Sequence, residues 1–469
     1  VIEQAGIEMM TLLLHACPEA ASKLDLHHSY SENGKTPLHY ALTKEVKLEM
    51  VTALLHACPD GASKADESGK FPLHLAVRQH VGLEVVKTLL DAFPDALRTP
   101  DRDGRLPMHY AACEPVESAF LLLHEYPDAA SKADKDGKFP LHFAAKHRAG
   151  PEVVTALLHA YPDAACKAAL SDRRLNTTER VTRLMPQDGA LPLHYAACSQ
   201  AGLEVVKLLL NACPQTAITA DARGRTPLHH AVIEQAGIEM MTLLLHACPE
   251  AASKLDLHHS YSENGKTPLH YALTKEVKLE MVTALLHACP DGASKADESG
   301  KFPLHLAVRQ HVGLEVVKTL LDAFPDALRT PDRDGRLPMH YAACEPVESA
   351  FLLLHEYPDA ASKADKDGKF PLHFAAKHRA GPEVVTALLH AYPDAACKAA
   401  LSDRRLNTTE RVTRLMPQDG ALPLHYAACS QAGLEVVKLL LNACPQTAIT
   451  ADARGRTPLH HAVIEQAGI

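Results

Sequence analysis

The chain repeats itself on a large scale, because residues 1–231 recur without a single change as residues 232–462. Residues 463–469 then restart the same block. Self-similarity of this kind is the first feature to settle, because it fixes the architecture. We therefore expect two identical copies and the beginning of a third. Such a chain is a segment of a longer periodic polymer or an engineered tandem.

A shorter repeat lies inside each block and is marked by Pro-Leu-His, or once by Pro-Met-His. The spacings between successive marker prolines are 35, 35, 33, 52, 35 and 41 residues. The six units of one block differ from one another while the two blocks do not, so the six-unit array arose first and was then copied whole. The marker residues of the first block are Pro37 and His39, Pro72 and His74, Pro107 and His109, Pro140 and His142, Pro192 and His194, and Pro227 and His229.

The second unit illustrates how each repeat is predicted to fold. Residues 66–69 have the preferences of a type I turn, and Pro72 suits the first turn of a helix, where its missing N–H costs nothing. A short inner helix is predicted over residues 73–77, with a break at Val81-Gly82. Apolar residues at 83, 86, 89, 90 and 93 have the spacing of one helix face, which predicts an outer helix.

This pattern resembles the ankyrin repeat family, whose signature is Thr-Pro-Leu-His-x-Ala with a period of about 33 residues. Residues 36–41 and 226–231 match the signature outright, and twelve signatures extend over essentially the whole chain. The resemblance implies an all-α solenoid of helix-turn-helix repeats with β-turn fingers, wound into a superhelix. The usual period here is 35, and Cys58-Pro59-Asp60 stands where the family has Gly-Ala-Asp, which affects the expected curvature.

Composition agrees with a soluble all-α solenoid. Hydrophobic residues make up 46% of the chain, which is enough for a continuous core, and tryptophan is absent. No apolar run approaches the roughly 20 residues that a membrane span requires. The 57 acidic residues outnumber the 48 basic ones, giving a net charge of −9, which argues against nucleic acid as the main partner.

Six cysteines per block invite a disulfide or zinc interpretation, and the register of the repeats argues against both. Cys17, Cys58 and Cys213 occupy the outer-helix position that other units fill with Phe93 or Tyr126. Equivalent positions of neighbouring repeats lie about 8–10 Å apart, whereas a disulfide needs Cα atoms closer than about 7 Å. We therefore expect buried free thiols, which favour an intracellular location, although a chain that is part of a fibre could be extracellular. The cysteines that this register leaves open are Cys113, Cys166 and Cys198.

Histidine is abundant, but no Cys-x-x-Cys or His-Glu-x-x-His spacing accompanies it. The family resemblance implies that the marker histidine bonds the backbone of the neighbouring turn and so ties one repeat to the next. His27-His28 lies outside the repeat register, and we expect it to be a solvated loop segment. Residues 33–36 end like a phosphate-binding loop without its first glycine. We therefore expect no catalytic, metal or cofactor site, and no enzyme.

The residue after the turn glycine is basic in most units and is predicted to form a row along one edge of the solenoid. Ala190 interrupts the row. Both a set of solvated fingers and a specific anionic partner fit this pattern, and exposed charges stabilise little by themselves. The row consists of Lys35, Lys70, Arg105, Lys138 and Arg225.

Two insertions per block are the least family-like features. One lengthens the finger before Pro37 over residues 24–32, and the other adds about 17 residues over 168–187. Insertions in solenoids map to loops on one face, often the binding face. The second insertion contains an Asn-x-Thr sequence at Asn176, repeated at Asn407, which could accept a glycan in a secreted chain. Its apolar residues, our candidates for a lateral contact, are Leu175, Val181, Leu184 and Met185.

Two functions are compatible with these features. Identical blocks present identical surfaces and can form regular lateral contacts, which favours a structural role as a filament, spacer or spring whose partners are other copies of itself. The alternative is a scaffold that binds protein partners on its concave face, the role that the family resemblance implies. Fold alone does not decide between them.

Overall fold

The computed structural model describes residues 2–22, 34–42, 47–113, 116–169, 189–256, 265–273, 278–344, 347–400 and 420–467. These residues form two compact units, Val1–Ala251 and Ala252–Ile469. The unit boundary differs from the proposed boundary between copies 1–231 and 232–462 and falls inside a short 3-10 helix, Pro249–Ser253. Within the described ranges both units are built of α-helices and 3-10 helices, with no β-strand.

Each repeat contains a short inner helix that begins at the marker proline. Proline is favourable there because the first N–H groups of a helix have no intrahelical acceptor. The inner helices of the first unit are Pro37–Ala41, Pro72–Arg78, Pro107–Ala111, Pro140–Lys146, Pro192–Ser199 and Pro227–Ile233. Those of the second unit are Pro268–Ala272, Pro303–Arg309, Pro338–Ala342, Pro371–Lys377, Pro423–Ser430 and Pro458–Ala467.

A longer outer helix follows each described inner helix except Pro458–Ala467, and a proline-initiated 3-10 helix follows each outer helix. The outer helices are Ile2–Ala16, Leu48–Ala57, Leu83–Ala92, Val116–Glu125, Pro151–Ala160, Leu203–Ala212 and Ile238–Ala247 in the first unit, and Leu279–Ala288, Leu314–Ala323, Val347–Glu356, Pro382–Ala391 and Leu434–Ala443 in the second. The 3-10 helices are Pro18–Ser22, Pro59–Ser63, Pro94–Leu97, Pro127–Ser131, Pro162–Cys166, Pro214–Ala217, Pro249–Ser253, Pro290–Ser294, Pro325–Leu328, Pro358–Ser362, Pro393–Cys397 and Pro445–Ala448.

The predicted face of the outer helix is the buried one. In the second repeat Val86, Leu89 and Leu90 are buried, while Leu83 and Phe93 at the two ends of the face are half-buried. Successive outer helices of one unit pack against each other, as do successive inner helices. A continuous apolar layer therefore runs through each stack, which confirms the all-α repeat fold.

The break between the two helices lies one residue earlier than predicted. His80, and not Val81 or Gly82, adopts the left-handed conformation, with φ at 55°. The amide of Val81 then donates to the carbonyl oxygen of Ala76 at 3.1 Å, the bond that closes a left-handed helix end. Gly82 has an ordinary φ of −56° and caps the outer helix. The chain reverses at the helix end itself, so no glycine is needed in the turn.

The predicted turn is present and forms a finger that contacts the next finger. The carbonyl oxygen of Asp66 accepts from the amide of Gly69 at 2.9 Å, and its Oδ1 accepts from the amide of Lys70 at 2.8 Å. Gly69 has φ at +74°, and a Cβ built on it would lie 2.7 Å from the amide nitrogen of Arg102. That amide donates to the carbonyl oxygen of Ser68 at 2.9 Å. Glycine is thus required both by the conformation and by the close approach of the fingers.

The second insertion leaves the base of its finger intact. The amide of Ala169 donates to the carbonyl oxygen of Ala190, and the amide of Gly189 donates to that of Ala169, both at 2.8 Å. The regular finger that begins at Asp66 has the same pair of backbone hydrogen bonds at its base. The insertion therefore starts and ends at a fingertip. The candidate contact and glycan residues lie outside the described residues, as do the paired loop histidines: Leu175, Asn176, Val181, Leu184, Met185, Asn407, His27 and His28.

The expectation of a free thiol is wrong for Cys213 and its copy Cys444, and their partners Cys166 and Cys397 occupy a position that the register left open. Cys166 forms a disulfide with Cys213, with 6.0 Å between their Cα atoms, and Cys397 pairs with Cys444 at 5.9 Å. The register argument compared only equivalent positions of successive outer helices. Cys166 instead ends the 3-10 helix that follows an outer helix, and this turn places it beside the end of the next outer helix.

The remaining cysteines are also less buried than predicted. Cys58, Cys248 and Cys289 are half-buried and Cys17 is exposed, because this position caps the end of the outer helix rather than lying inside its buried face. Cys198, on an inner helix, is buried, and burial raises the pKa of its thiol to about 12. A disulfide in each unit removes the basis for inferring an intracellular location from free thiols.

Candidate binding groove

The marker histidine joins successive repeats through both ring nitrogens. In the second repeat Nδ1 of His74 accepts from the amide of Phe71 at 3.3 Å, and Nε2–H donates to the carbonyl oxygen of Arg105 in the next finger at 3.1 Å. Burial lowers the pKa of His74 to about 4. The ring is therefore neutral at pH 7, with its proton on Nε2. This confirms the role that the resemblance implied for the histidine.

The same bond to the next finger recurs through both units. His142 and its copy His373 are exceptions, since Nε2 of His142 faces the backbone of Ala190 and Lys167 without a hydrogen bond of normal geometry, and Nε2 of His373 likewise has none. The finger that His142 faces is the one that carries the insertion. The regular pairs, with Nε2 to carbonyl oxygen distances of 3.1–3.2 Å, are His39 with Lys70, His109 with Lys138, His194 with Arg225, His270 with Lys301, His305 with Arg336, His340 with Lys369 and His425 with Arg456.

Several marker histidines also meet an aromatic ring of the next repeat. The ring of His74 lies 6.1 Å from that of Tyr110, and the ring of His109 lies 5.5 Å from that of Phe143, both edge to face. These histidines are thus fully engaged in the stack. Over the residues that the structure describes, no group of three or more His, Cys, Asp or Glu side chains could hold a metal ion.

The predicted basic row is neither solvated nor unpaired. The ammonium group of Lys70 lies 3.7 Å from the carboxylate of Asp101, and Nε of Arg105 lies 3.3 Å from that of Asp134. Only 12% of the Lys70 side chain is exposed. Lys70 and Arg105 therefore sit between fingers, where each meets an aspartate of the following finger, whereas Lys138 lies 3.8 Å from Asp136 of its own finger.

A groove of about 460 Å³ lies among the fingers and inner helices of the second, third and fourth repeats. A counterpart of about 380 Å³ occupies the same place in the second unit. We call these the inner-helix grooves. The first is lined by Lys70, Arg78, His80, Asp103, Arg105, Tyr110, Cys113, Phe143, Lys146 and His147. The second is lined by Lys301, Arg309, His311, Arg336, Tyr341, Cys344, Phe374, Lys377 and His378.

Cations dominate the lining of the first groove. With the histidines counted as neutral, the lining holds four basic side chains and the carboxylate of Asp103, and Asp101 and Asp134 pair with Lys70 and Arg105, which leaves a formal charge of +1. Arg78 and Lys146 are exposed, and each is the last residue of its inner helix. A cation is favourable at that end because the helix dipole is negative there. Burial, with the nearby Lys146 and Arg105, lowers the pKa of His147, so its ring adds polarity without charge at pH 7.

Arg105 lies at the centre of the groove and is held on three sides. Its Nε lies 3.3 Å from Asp134, its Nη1 lies 3.4 Å from Asp103, and its guanidinium carbon lies 5.2 Å from the centre of the Phe143 ring. A guanidinium has five N–H donors in a fixed plane. These contacts fix that plane before any ligand arrives.

Tyr110 completes the floor through a buried carboxylate. Its hydroxyl donates to Oδ2 of Asp101 at 2.6 Å. Burial and this hydrogen bond raise the pKa of Tyr110, so the phenol stays protonated. Burial would raise the pKa of Asp101, but the bonds from Tyr110 and from the amide of Arg105 outweigh it and lower that pKa. The floor is therefore a fixed network of defined protonation at neutral pH.

Sequence reasoning found Lys70 and Arg105 and missed the other groove residues. Arg78 and Lys146 each lie six positions after a marker proline, and Tyr110 and Phe143 each lie three positions after one. An alignment of the six repeats of a block at their marker prolines would have shown that the members of each pair occupy the same position of the repeat.

No described helix is long and apolar enough to cross a membrane. A search of curated proteins gives no match to the chain. The family model for ankyrin repeats, which contains three copies of the repeat, matches residues 2–99, 82–172, 165–254, 238–330, 304–399 and 394–468. Ankyrin repeats typically form scaffolds for protein–protein interaction and are generally not enzymes. These matches extend over almost the entire sequence, so the chain belongs to the ankyrin-repeat family.

Proposed function

We propose that the chain is a scaffold that binds protein partners in its inner-helix grooves, one groove in each unit. The observation that carries this proposal is the groove itself, in which exposed Arg78 and Lys146 flank a fixed Arg105 over Tyr110 and Phe143. Side chains that are already ordered lose little conformational freedom when a partner arrives.

A selection experiment tests this function with the whole 469-residue chain. Displayed random peptides would be selected on it and then measured against a variant carrying Arg78→Ala, Lys146→Ala, Arg309→Ala and Lys377→Ala. These side chains are partly or fully exposed, so we expect the variant to fold and to lose most of the selected binders. The matched control changes Lys87 and Lys318, which are cations on outer helices, to Ala. Binders that respond equally to both variants would contradict the proposal.

A second candidate is a structural role, in which the chain is a segment of a long periodic superhelix that serves as a filament, spacer or spring. The identity of residues 1–231 and 232–462 supports it, because uniform surfaces suit a regular assembly. Electron microscopy of the chain at high concentration tests this role. Filaments with a constant repeat distance would support it, and dispersed particles at every concentration would count against it.

A further inference from the structure

We infer that the inner-helix groove recognises a short acidic segment of a protein partner in extended conformation, with its carboxylates on Arg78, Arg105 and Lys146. This inference rests on the proposed scaffold function and adds the chemistry of the partner.

Charge is the first argument. With Asp101 and Asp134 counted beside the lining, the groove carries a formal charge of +1, while the whole chain carries −9. The groove is therefore a local basic site on an acidic protein. A long polyanion such as nucleic acid would extend beyond it toward exposed glutamates such as Glu84 and Glu117 on the outer helices. A short acidic segment can instead lie on the exposed cations Arg78 and Lys146, since interactions with more distant charges fade within about 8–10 Å at physiological salt.

The donors are the second argument. The Arg105 plane is fixed by Asp134, Asp103 and Phe143, so it presents a constant geometry to an incoming carboxylate. Arginine and carboxylate groups match each other in planar, two-bond pairs, for which exposed Arg78 offers its fork, while Arg105, whose Nε and Nη1 already meet Asp134 and Asp103, can add a bond from Nη2. Exposed Arg78 and Lys146 end inner helices two repeats apart, with Arg105 in the finger of the repeat between them. The three cations thus form a line across successive repeats.

The spacing of the repeats sets the length of the segment. Stacked helices lie about 8–10 Å apart, so three repeats extend over about 24–30 Å. An extended chain advances about 3.3 Å per residue, so a segment of about seven or eight residues fits. The half-buried Tyr110 ring provides apolar surface between the cations, which favours one apolar residue among the acidic ones.

The test uses a fluorescent peptide of about eight residues, rich in glutamate with one central leucine, and a matched peptide in which every glutamate is glutamine. Binding of both to the whole chain would be measured by fluorescence anisotropy at pH 7. We expect the glutamate peptide to bind at least about ten-fold more tightly, with two peptides per chain and weaker binding as salt rises. Arg78→Gln, Lys146→Gln, Arg309→Gln and Lys377→Gln together should weaken it about ten-fold. The control variant, Lys87→Gln with Lys318→Gln, should not change it.

The outcomes separate the inference from the function beneath it. Equal binding of the two peptides would overturn the acidic preference while leaving a groove that binds protein segments. The inference also fails if neither peptide binds although displayed peptides bind in the groove. An oligonucleotide that binds more tightly than the glutamate peptide, or inorganic phosphate that displaces it at equal concentration, would show that the partner class is wrong. Loss of all groove-dependent binding, including that of displayed peptides, would overturn the function itself. Circular dichroism of each variant would establish that it is folded.

Discussion

The marker histidine can join two repeats only while it is neutral, because Nδ1 must accept from a backbone amide. In the first unit the pKa values of His74, His109 and His194 are lowered to about 4, first of all by burial. In the unfolded chain a histidine has a pKa of about 6.5. Each buried ring therefore makes stability depend on pH.

Between pH 6.5 and pH 4 the unfolded chain binds protons that the folded chain excludes. The free energy of unfolding should accordingly fall as pH drops through this window, by up to about 1.4 kcal/mol per histidine for each pKa unit. Replacing His74 and its copy His305 by Gln should reduce the proton uptake on unfolding at pH 5 by about two protons per chain. Potentiometric measurement of the protons that the chain takes up when it unfolds in urea checks this prediction. An unchanged uptake would show that these rings are already charged in the folded protein.

The outer helix offers a matched pair of residues for testing its register. Leu89 is 1% exposed, whereas the ammonium group of Lys87 lies 3.1 Å from a carboxylate oxygen of Glu84 at the surface. Leu89→Ala should lower the free energy of unfolding by about 2–5 kcal/mol, because it removes buried atoms and leaves a cavity. Lys87→Ala should change it by less than about 0.5 kcal/mol. Urea titrations measure both changes. Similar losses in the free energy of unfolding of the two variants would show that the register is wrong.

At the scale of the helix pair, the sequence predicted most of the fold but not the helix ends. Local preferences identified the turn at residues 66–69, the proline start and the outer-helix face, all of which depend on near neighbours. The left-handed residues His80, Arg148 and Gln200 could not be predicted in this way. Their conformation is strained for residues other than glycine, and contacts from the next repeat compensate.

Those contacts link consecutive inner helices at the end opposite the histidines. Nε2 of Gln200 donates to the carbonyl oxygen of Glu234 at 2.6 Å, and Nε of Arg148 donates to that of Ser199. Oγ of Ser199 returns a bond to the carbonyl oxygen of Ala145 at 2.8 Å. A single repeat does not contain these acceptors, which is why its sequence does not reveal the bonds.

Substitutions at Gln200 separate the strain from the hydrogen bond. Gln200→Gly should leave stability within about 1 kcal/mol of the parent, since it loses one hydrogen bond but also relieves the left-handed strain. Gln200→Ala loses the bond and keeps the strain, so it should be about 1 kcal/mol less stable than the glycine variant. Denaturant unfolding of both proteins provides the comparison. An alanine variant that equals the glycine variant would contradict this explanation of the helix end.

The disulfide between neighbouring repeats is a second contact that the periodic pattern concealed. Cys166 and Cys213 are 47 positions apart in the sequence, and closing a loop of that length stabilises a folded chain by up to about 4 kcal/mol. Cys166→Ala together with Cys397→Ala should lower the unfolding midpoint under oxidising conditions. The same variant should match the parent under reducing conditions, where the parent also lacks the bonds. A difference that persists after reduction would mean that the cysteines act by packing alone.

At the scale of the whole molecule, periodicity predicted the family and the two copies' common fold, yet it hid the groove. A basic side chain six positions after the marker proline, as at Arg78, acquires meaning only when the next two repeats place Arg105 and Lys146 beside it. That adjacency comes from stacking and not from any single motif. The apolar insertion residues drew more attention in the sequence, and they lie outside the residues that the structure describes.

Because the chain carries two grooves of the same sequence, it should bind a divalent ligand more tightly than it binds a monovalent one. Two glutamate peptides joined by a Gly/Ser linker make their second binding event intramolecular, which can raise the affinity about 10²-fold when the linker matches the distance between the sites. A series of linker lengths, measured by competition with the single peptide, should therefore pass through an optimum. Arg309→Gln with Lys377→Gln should reduce that gain about ten-fold while leaving one single peptide bound at the first groove. If no linked peptide binds more tightly than expected for two independent single-peptide sites, the two grooves do not cooperate. The selective value of two copies must then lie in the regular assembly of the chain itself.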